Sequence, residues 1–237
     1  MRIKLKRDIE RLKRRVIELG TMVEERFRLA VKSVECRDAE LAKNVIEGDG
    51  EIDQLEVDVE EECLKILALH QPVADDLRYI VAVLKMNNDL ERIGDLAVNI
   101  AQRSLVICSH KGVRIPFDYF TMCERVDSML RNALDSLVNM DVELAYKVCA
   151  DDDDVDVMKN AIRGEFSKSL DAHTGDADPL VDLFLISRHL ERIGDHATNI
   201  AEDVIYTITG QIHRHRGGEF ADAAADPDED EQPPPTP

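Results

Sequence analysis

Leu90-Glu91-Arg92-Ile93-Gly94-Asp95-Leu96-Ala97-Val98-Asn99-Ile100-Ala101 returns one hundred residues later as Leu190-Glu191-Arg192-Ile193-Gly194-Asp195-His196-Ala197-Thr198-Asn199-Ile200-Ala201. Only Leu96/His196 and Val98/Thr198 differ. Within each copy the apolar residues recur at three- and four-residue steps, the period of an amphipathic helix. The repeat extends upstream at an offset of 103, where Ala30, Ser33, Asp38, Glu40, Leu41 and Ala42 align with Ala133, Ser136, Asp141, Glu143, Leu144 and Ala145. Val45 pairs with Val148, Asp49 with Asp152, Asp53 with Asp156 and His70 with His173. Two stretches in register across half a chain point to a duplicated helical unit packing on its copy.

Proline placement sets the boundaries, because proline breaks helix interiors and suits first turns. Pro72, Pro116 and Pro179 are the only prolines before the last eleven residues. Between them, Ile9, Leu12, Val16, Leu19, Val23, Phe27, Ala30 and Val34 mark a first helix over about 5–36. Asp38 is placed to cap a second that runs to about His70, and a third runs from about Ala74 to His110. The second half repeats these as about 117–139, 141–172 and 178–209. Period-two alternation with turn dipeptides is missing, so the chain reads as all-α with six helices, three in each half. The divisions expected are 1–112, 113–216 and a disordered acidic, proline-rich tail over 217–237.

Composition narrows the function. Among 237 residues, 30 Lys+Arg against 49 Asp+Glu leave a net charge of −19, which argues against a general nucleic-acid binder. Residues 2–16 are basic and the last 21 are acidic, so the helical middle carries most of the negative charge. The five cysteines, Cys36, Cys63, Cys108, Cys123 and Cys149, show neither a CxxC pair nor zinc-ligand spacing. They read as buried thiols in a reducing compartment. The charged start lacks a signal-peptide apolar stretch, and no apolar run approaches the roughly 20 residues of a membrane span, so a soluble, cytoplasmic protein is expected.

The chemistry lies in the acids. Glu91 and Asp95, and likewise Glu191 and Asp195, stand four residues apart and so share one helix face. Asn99 and Asn199 continue that line by another turn. The preceding helix of each half repeats the device in Asp49 with Asp53 and Asp152 with Asp156. Like charges at this spacing cost about 0.2–0.5 kcal/mol per pair, and Gly94 and Gly194 cost about 1 kcal/mol each against alanine. One such pair is ordinary on a solvated face; four at matching repeat positions point to something that offsets the repulsion. If the two helices pack together, four carboxylates converge in each half. An all-oxygen donor set suits Mg²⁺, Ca²⁺, Mn²⁺ or iron. The open alternatives are a solvated acidic stripe paired with Arg92 and Arg192, or a carboxylate-bridged metalloenzyme, an oxidase or a phosphatase. His70, His110 and His173 stand near helix C-termini and read mainly as caps. His196 projects away from Asp195, and His213 and His215 lie with Arg214 and Arg216 in a basic patch past the last helix. Glu-x-x-His di-iron motifs and a GxxxxGK[ST] phosphate loop are both absent from the sequence.

The duplicated ExxxD segments resemble the signature of the PhoU family of phosphate-transport regulators. So do Gln71-Pro72-Val73-Ala74-Asp75-Asp76-Leu77-Arg78, Glu202-Asp203-Val204-Ile205-Tyr206 and Thr209-Gly210. The resemblance covers about 1–216 and implies two three-helix bundles related by a pseudo-twofold. It implies multinuclear metal clusters, iron foremost, with zinc, manganese, magnesium or calcium as alternatives. Their ligands would be Asp49, Asp53, Glu91 and Asp95 in the first half and Asp152, Asp156, Glu191 and Asp195 in the second, with Asn99 and Asn199 secondary. The acidic run Asp151–Asp154 leaves open which of its members faces a metal. The implied role is non-enzymatic: negative regulation of phosphate uptake and phosphate-starvation signalling. It would act on the phosphate ABC transporter, its ATPase and membrane complex, and on a sensor histidine kinase. A homodimer or higher homo-oligomer is implied, peripheral to the membrane only through its partners and without a nucleic-acid partner.

Overall fold

The apolar stripe of the first 36 residues forms one long helix because it can be buried along its whole length. Leu12, Val16, Leu19, Val23, Phe27, Ala30 and Val34 are almost completely inaccessible to water in α1, Arg2–Cys36. The computed structural model describes residues 2–110, 118–172 and 177–211. After Arg37, Asp38 takes an extended conformation, and its carboxylate accepts from the backbone N–H of Glu40 and Leu41, both at 3.0 Å. That cap starts α2, Ala39–Glu47.

The helix expected from Asp38 to His70 is interrupted at Gly48, and a new one, α3, covers Asp49–His70. The cause is Arg26 of α1. Its guanidinium donates to the carbonyls of Asn44 and Val45, both at 3.1 Å, and of Gly48, at 2.9 Å, satisfying acceptors that a helix end leaves over. A Cβ on Gly48 would stand 1.9 Å from Arg26 Nη1, so only glycine admits the guanidinium there. In the second half the equivalent position is Asp151, and the corresponding helix, α6, is continuous over Val142–Ala172. With α2 and α3 taken as one interrupted helix, the described residues hold the expected six. The remaining helices are α4 (Ala74–Ser109), α5 (Tyr119–Asn139) and α7 (Asp178–Thr209). Pro179 sits in the first turn of α7, and Gly210 ends it with φ +72°.

The first bundle packs α1 against α2, α3 and α4, and the second packs α5, α6 and α7 together. Among the described residues the most extensive helix–helix contact is α4 against α7, which joins the two bundles. Leu90, Ile93, Ala97 and Ile100 of α4, and Leu190, Ile193, Ala197 and Ile200 of α7, are buried. The repeated segments therefore form the spine, and their small residues let other helices come close. The α4–α7 contact also holds polar links: Lys85–Asp203 at 2.9 Å, Arg103–Asp182 at 3.0 Å and His196–Asp89 at 2.8 Å. In each the carboxylate is nearly out of water while its partner stays partly exposed, so each link adds only modest stability.

No strand occurs among the described residues. Among them, no helix is long and apolar enough to cross a membrane. The five cysteines are unpaired, but only Cys63, Cys123 and Cys149 are buried; Cys108 is partly accessible, and Cys36 is exposed at the end of α1. His173, the basic patch at 213–216, the joint near 112 and the tail over 217–237 lie outside the described residues.

Candidate functional site

The eight acids singled out by spacing lie on two pairs of adjacent helices, four in each bundle. In the first bundle α3 supplies Asp49 and Asp53, and α4 supplies Glu91 and Asp95. Burial pushes the Asp49 carboxyl above the ordinary carboxylate range, and repulsion from Asp53 and then Asp95 adds to it. Glu91 is raised in the same way by burial, by Asp95, and more weakly by Glu56 and Asp53. In the second bundle α6 supplies Asp152 and Asp156, and α7 supplies Glu191 and Asp195. Burial, then Asp195 and Asp156, lift Asp152 from 3.8 to about 6, while the Thr198 hydroxyl opposes the shift. Asp195 is raised by burial, by Glu191 and by Asp156.

Half-buried carboxylates that raise one another's pKa are a donor set that a hard cation would neutralise. Their donor chemistry, all oxygen, is the kind that hard cations take. Among the described residues no three His, Cys, Asp or Glu side chains are drawn to a single ligation point. The two glycines differ in their packing. A Cβ on Gly94 would stand 3.3 Å from a methyl of Ile52 of α3, and one on Gly194 would stand 3.6 Å from Asp152 Oδ1. Gly94 thus lets α3 lie slightly closer against the spine, whereas a methyl at Gly194 would meet only ordinary contacts.

The acidic run in the second half is sorted by one arginine. Arg125 of α5 pairs with Asp154 and, at 3.2 Å, with the buried Asp151. Asp153 is exposed, and Asp152 turns towards Asp195. In helical geometry only Asp152 and Asp156 keep the four-residue spacing on the face towards α7. Of the two secondary candidates, Asn199 donates its amide to Asp89 across the bundle junction at 3.1 Å, and Asn99 is half-buried on α4. His196 pairs with the same Asp89 at 2.8 Å. His70 does more than cap α3, because its Nε2 lies 2.9 Å from Asp8 Oδ2 of α1.

One charged partner, Arg92, was named from the sequence as the pair of a solvated acidic stripe, and two more, Lys159 and Glu56, escaped the spacing argument. Arg92 lies 3.1 Å from Asp95 and 3.4 Å from Glu91. Lys159 of α6 lies 2.8 Å from Asp156 and 2.7 Å from Glu191, so it bridges the two helices. Glu56 of α3 adds a fifth acid near Glu91. Lys159 and Glu56 follow the acid pairs by one turn, and that was the signal in the sequence that marked them.

The chain matches the model of the PhoU domain twice, over residues 16–104 and 120–204. A phosphate-specific transport system accessory protein PhoU homologue from Thermotoga maritima is 35% identical over 230 residues, covering 94% of this chain and 98% of that one. The phosphate-specific transport system accessory protein PhoU of Escherichia coli is 31% identical over 215 residues, with 91% and 89% covered. The crystal structure of PhoU from Pseudomonas aeruginosa superposes with a TM-score of 0.85 at 34% identity, over 87% of this chain and 99% of that one.

Proposed function

The chain belongs to the PhoU family, matched over both of its halves, and on that premise we propose that it is a metal-bearing helical accessory protein of a phosphate-specific transport system. In this reading it works in the cytoplasm as a negative regulator of phosphate uptake and of phosphate-starvation signalling, without catalysis of its own. Its partners are the phosphate ABC transporter and a sensor histidine kinase. Support comes from relatives that span nearly the whole chain and are named accessory proteins of that system. The observation that supports the metal part is the placing of two acid-xxx-acid pairs on adjacent helices of each bundle, where burial and neighbouring acids raise the pKa of Asp49, Glu91, Asp152 and Asp195.

In the site, Asp49, Asp53, Glu91 and Asp95 hold cations in the first bundle, and Asp152, Asp156, Glu191 and Asp195 form the corresponding set in the second. A bound metal, iron foremost, would supply positive charge beside these carboxylates and offset their mutual repulsion. The carboxylates position it and tie α3 to α4 and α6 to α7. An adaptor of this kind shifts a membrane complex between states only through unequal affinity for them, since equal binding moves no equilibrium. Affinity capture from phosphate-replete and phosphate-starved cells tests the regulatory role. Recovery of transporter or kinase in at least one condition is expected, and recovery of neither in both overturns it.

A further inference from the structure

The internal repeat allows the two carboxylate clusters to be compared position by position, and at one position they differ by two units of charge. Residues 56 and 159 are equivalent under the offset that relates Asp49 to Asp152 and Asp53 to Asp156. The first is glutamate and the second is lysine. The Lys159 ammonium lies within hydrogen-bond distance of Asp156 and Glu191, joining α6 to α7. Glu56 instead adds its charge to those of Asp53 and Glu91.

The surroundings of Glu56 carry a second, separate observation. Asn87 of α4, only 2% exposed, donates its Nδ2 to the Glu56 backbone oxygen at 3.0 Å and to Glu56 Oε1 at 3.1 Å. Its own carbonyl oxygen, Oδ1, is buried with no partner among the described residues. A buried oxygen without a donor costs free energy until a donor or a cation reaches it. The equivalent residue in α7 is Ser187, whose hydroxyl is spent on the Phe184 carbonyl at 2.7 Å. The first bundle thus sets Glu56, held by the Asn87 amide, beside Glu91 among oxygen donors, all hard, while in the second bundle buried Asp151 Oδ2 is likewise without a partner among the described residues. Of the four carboxylates of the second cluster, two already share an ammonium.

The second half also carries Asp151 and Asp153 where the first has Gly48 and Gly50, and Arg125 takes up Asp151, so the difference is local to the carboxylates that Lys159 spans. Arg92 touches Glu91 and Asp95 from its own helix and is half exposed, so it can swing into solvent at little cost. Lys159 crosses between two helices and is less exposed. A divalent ion entering between Asp156 and Glu191 must displace an ammonium held by two charge-assisted hydrogen bonds, or accept its repulsion at close range.

We propose that Glu56, held by Asn87, is an additional oxygen ligand of the first cluster, while Lys159 acts as the built-in cation of the second. The two bundles are therefore unequal: the first takes divalent metal tightly and the second weakly. This rests on the metal-binding reading above and specifies which half carries it.

Mn²⁺ titration of the full chain, followed by the electron paramagnetic resonance signal of the free ion, tests the inference. Glu91→Ala with Asp95→Ala leaves only the second cluster, and adding Lys159→Gln there is expected to raise Mn²⁺ affinity by about tenfold or more, whereas Lys159→Arg is not. Glu191→Ala with Asp195→Ala leaves only the first cluster, and adding Glu56→Gln there is expected to weaken binding by about tenfold. In the otherwise intact chain, Lys159→Gln raises the number of tightly bound ions, a readout that does not depend on the double variants folding. Unchanged second-cluster affinity with Lys159→Gln, or unchanged first-cluster affinity with Glu56→Gln, overturns the inference and leaves the metal reading standing. No Mn²⁺ bound by the unsubstituted chain overturns the metal reading itself.

Discussion

Replacing Asp152 with asparagine should stabilise the metal-free protein at neutral pH, although it removes a residue proposed to be functional. Asp152 is lifted from 3.8 to about 6 by burial and by Asp195 and Asp156. A carboxyl whose pKa is raised by folding opposes folding at every pH above the folded value. That penalty disappears as the pH falls from about 6 to below 3.8. Two pKa units correspond to about 3 kcal/mol. Asp152 is only part-buried, so solvent screening brings the expected gain to about 1–2 kcal/mol. For a chain of this length that is about 3–6 °C in Tm. Asparagine keeps an acceptor for the Thr198 hydroxyl, so little else is lost. Thermal denaturation followed by circular dichroism in EDTA, from pH 5 to pH 8, measures it. Asp152→Asn should gain most at pH 8 and least at pH 5. A loss of about 1 kcal/mol or more at pH 8 in EDTA would refute the repulsion on which the site is built.

Three further expectations follow from the same contacts. Gly194→Ala finds ordinary contact distance around its new methyl and should gain up to about 1 kcal/mol of helix stability. Gly94→Ala crowds Ile52 at 3.3 Å and should gain less or lose, so the two Tm shifts must differ in that order. Asp38→Ala removes the cap on α2 and should cost about 1 kcal/mol in urea denaturation.

The parts that were legible in the sequence are those fixed by local pattern. The apolar stripe of α1, the cap at Asp38, the prolines before α4 and in α7, and the duplicated ExxxD segments all rest on spacing within a few residues. The carboxylates on α3, α4, α6 and α7 were found because helical period alone sets which acids share a face. The rest depends on partners distant in sequence. The break at Gly48 needs Arg26, 22 residues upstream on another helix. The sorting of Asp151–Asp154 needs Arg125 on α5, and the use of Asn199 and His196 at the junction needs Asp89, more than 100 residues away. Lys159 is the instructive case. Its pairing with Asp156 follows from a three-residue spacing, but its bridge to Glu191 exists only once α6 lies on α7.

The claim that bears the most weight is that these carboxylates hold metal. Metal content of the chain purified without chelator, read by plasma mass spectrometry beside the Glu91→Ala, Asp95→Ala double variant, tests it most directly. About one or more transition-metal ions per chain, falling sharply in the variant, is expected. Less than one per chain, unchanged by the substitutions, would contradict it.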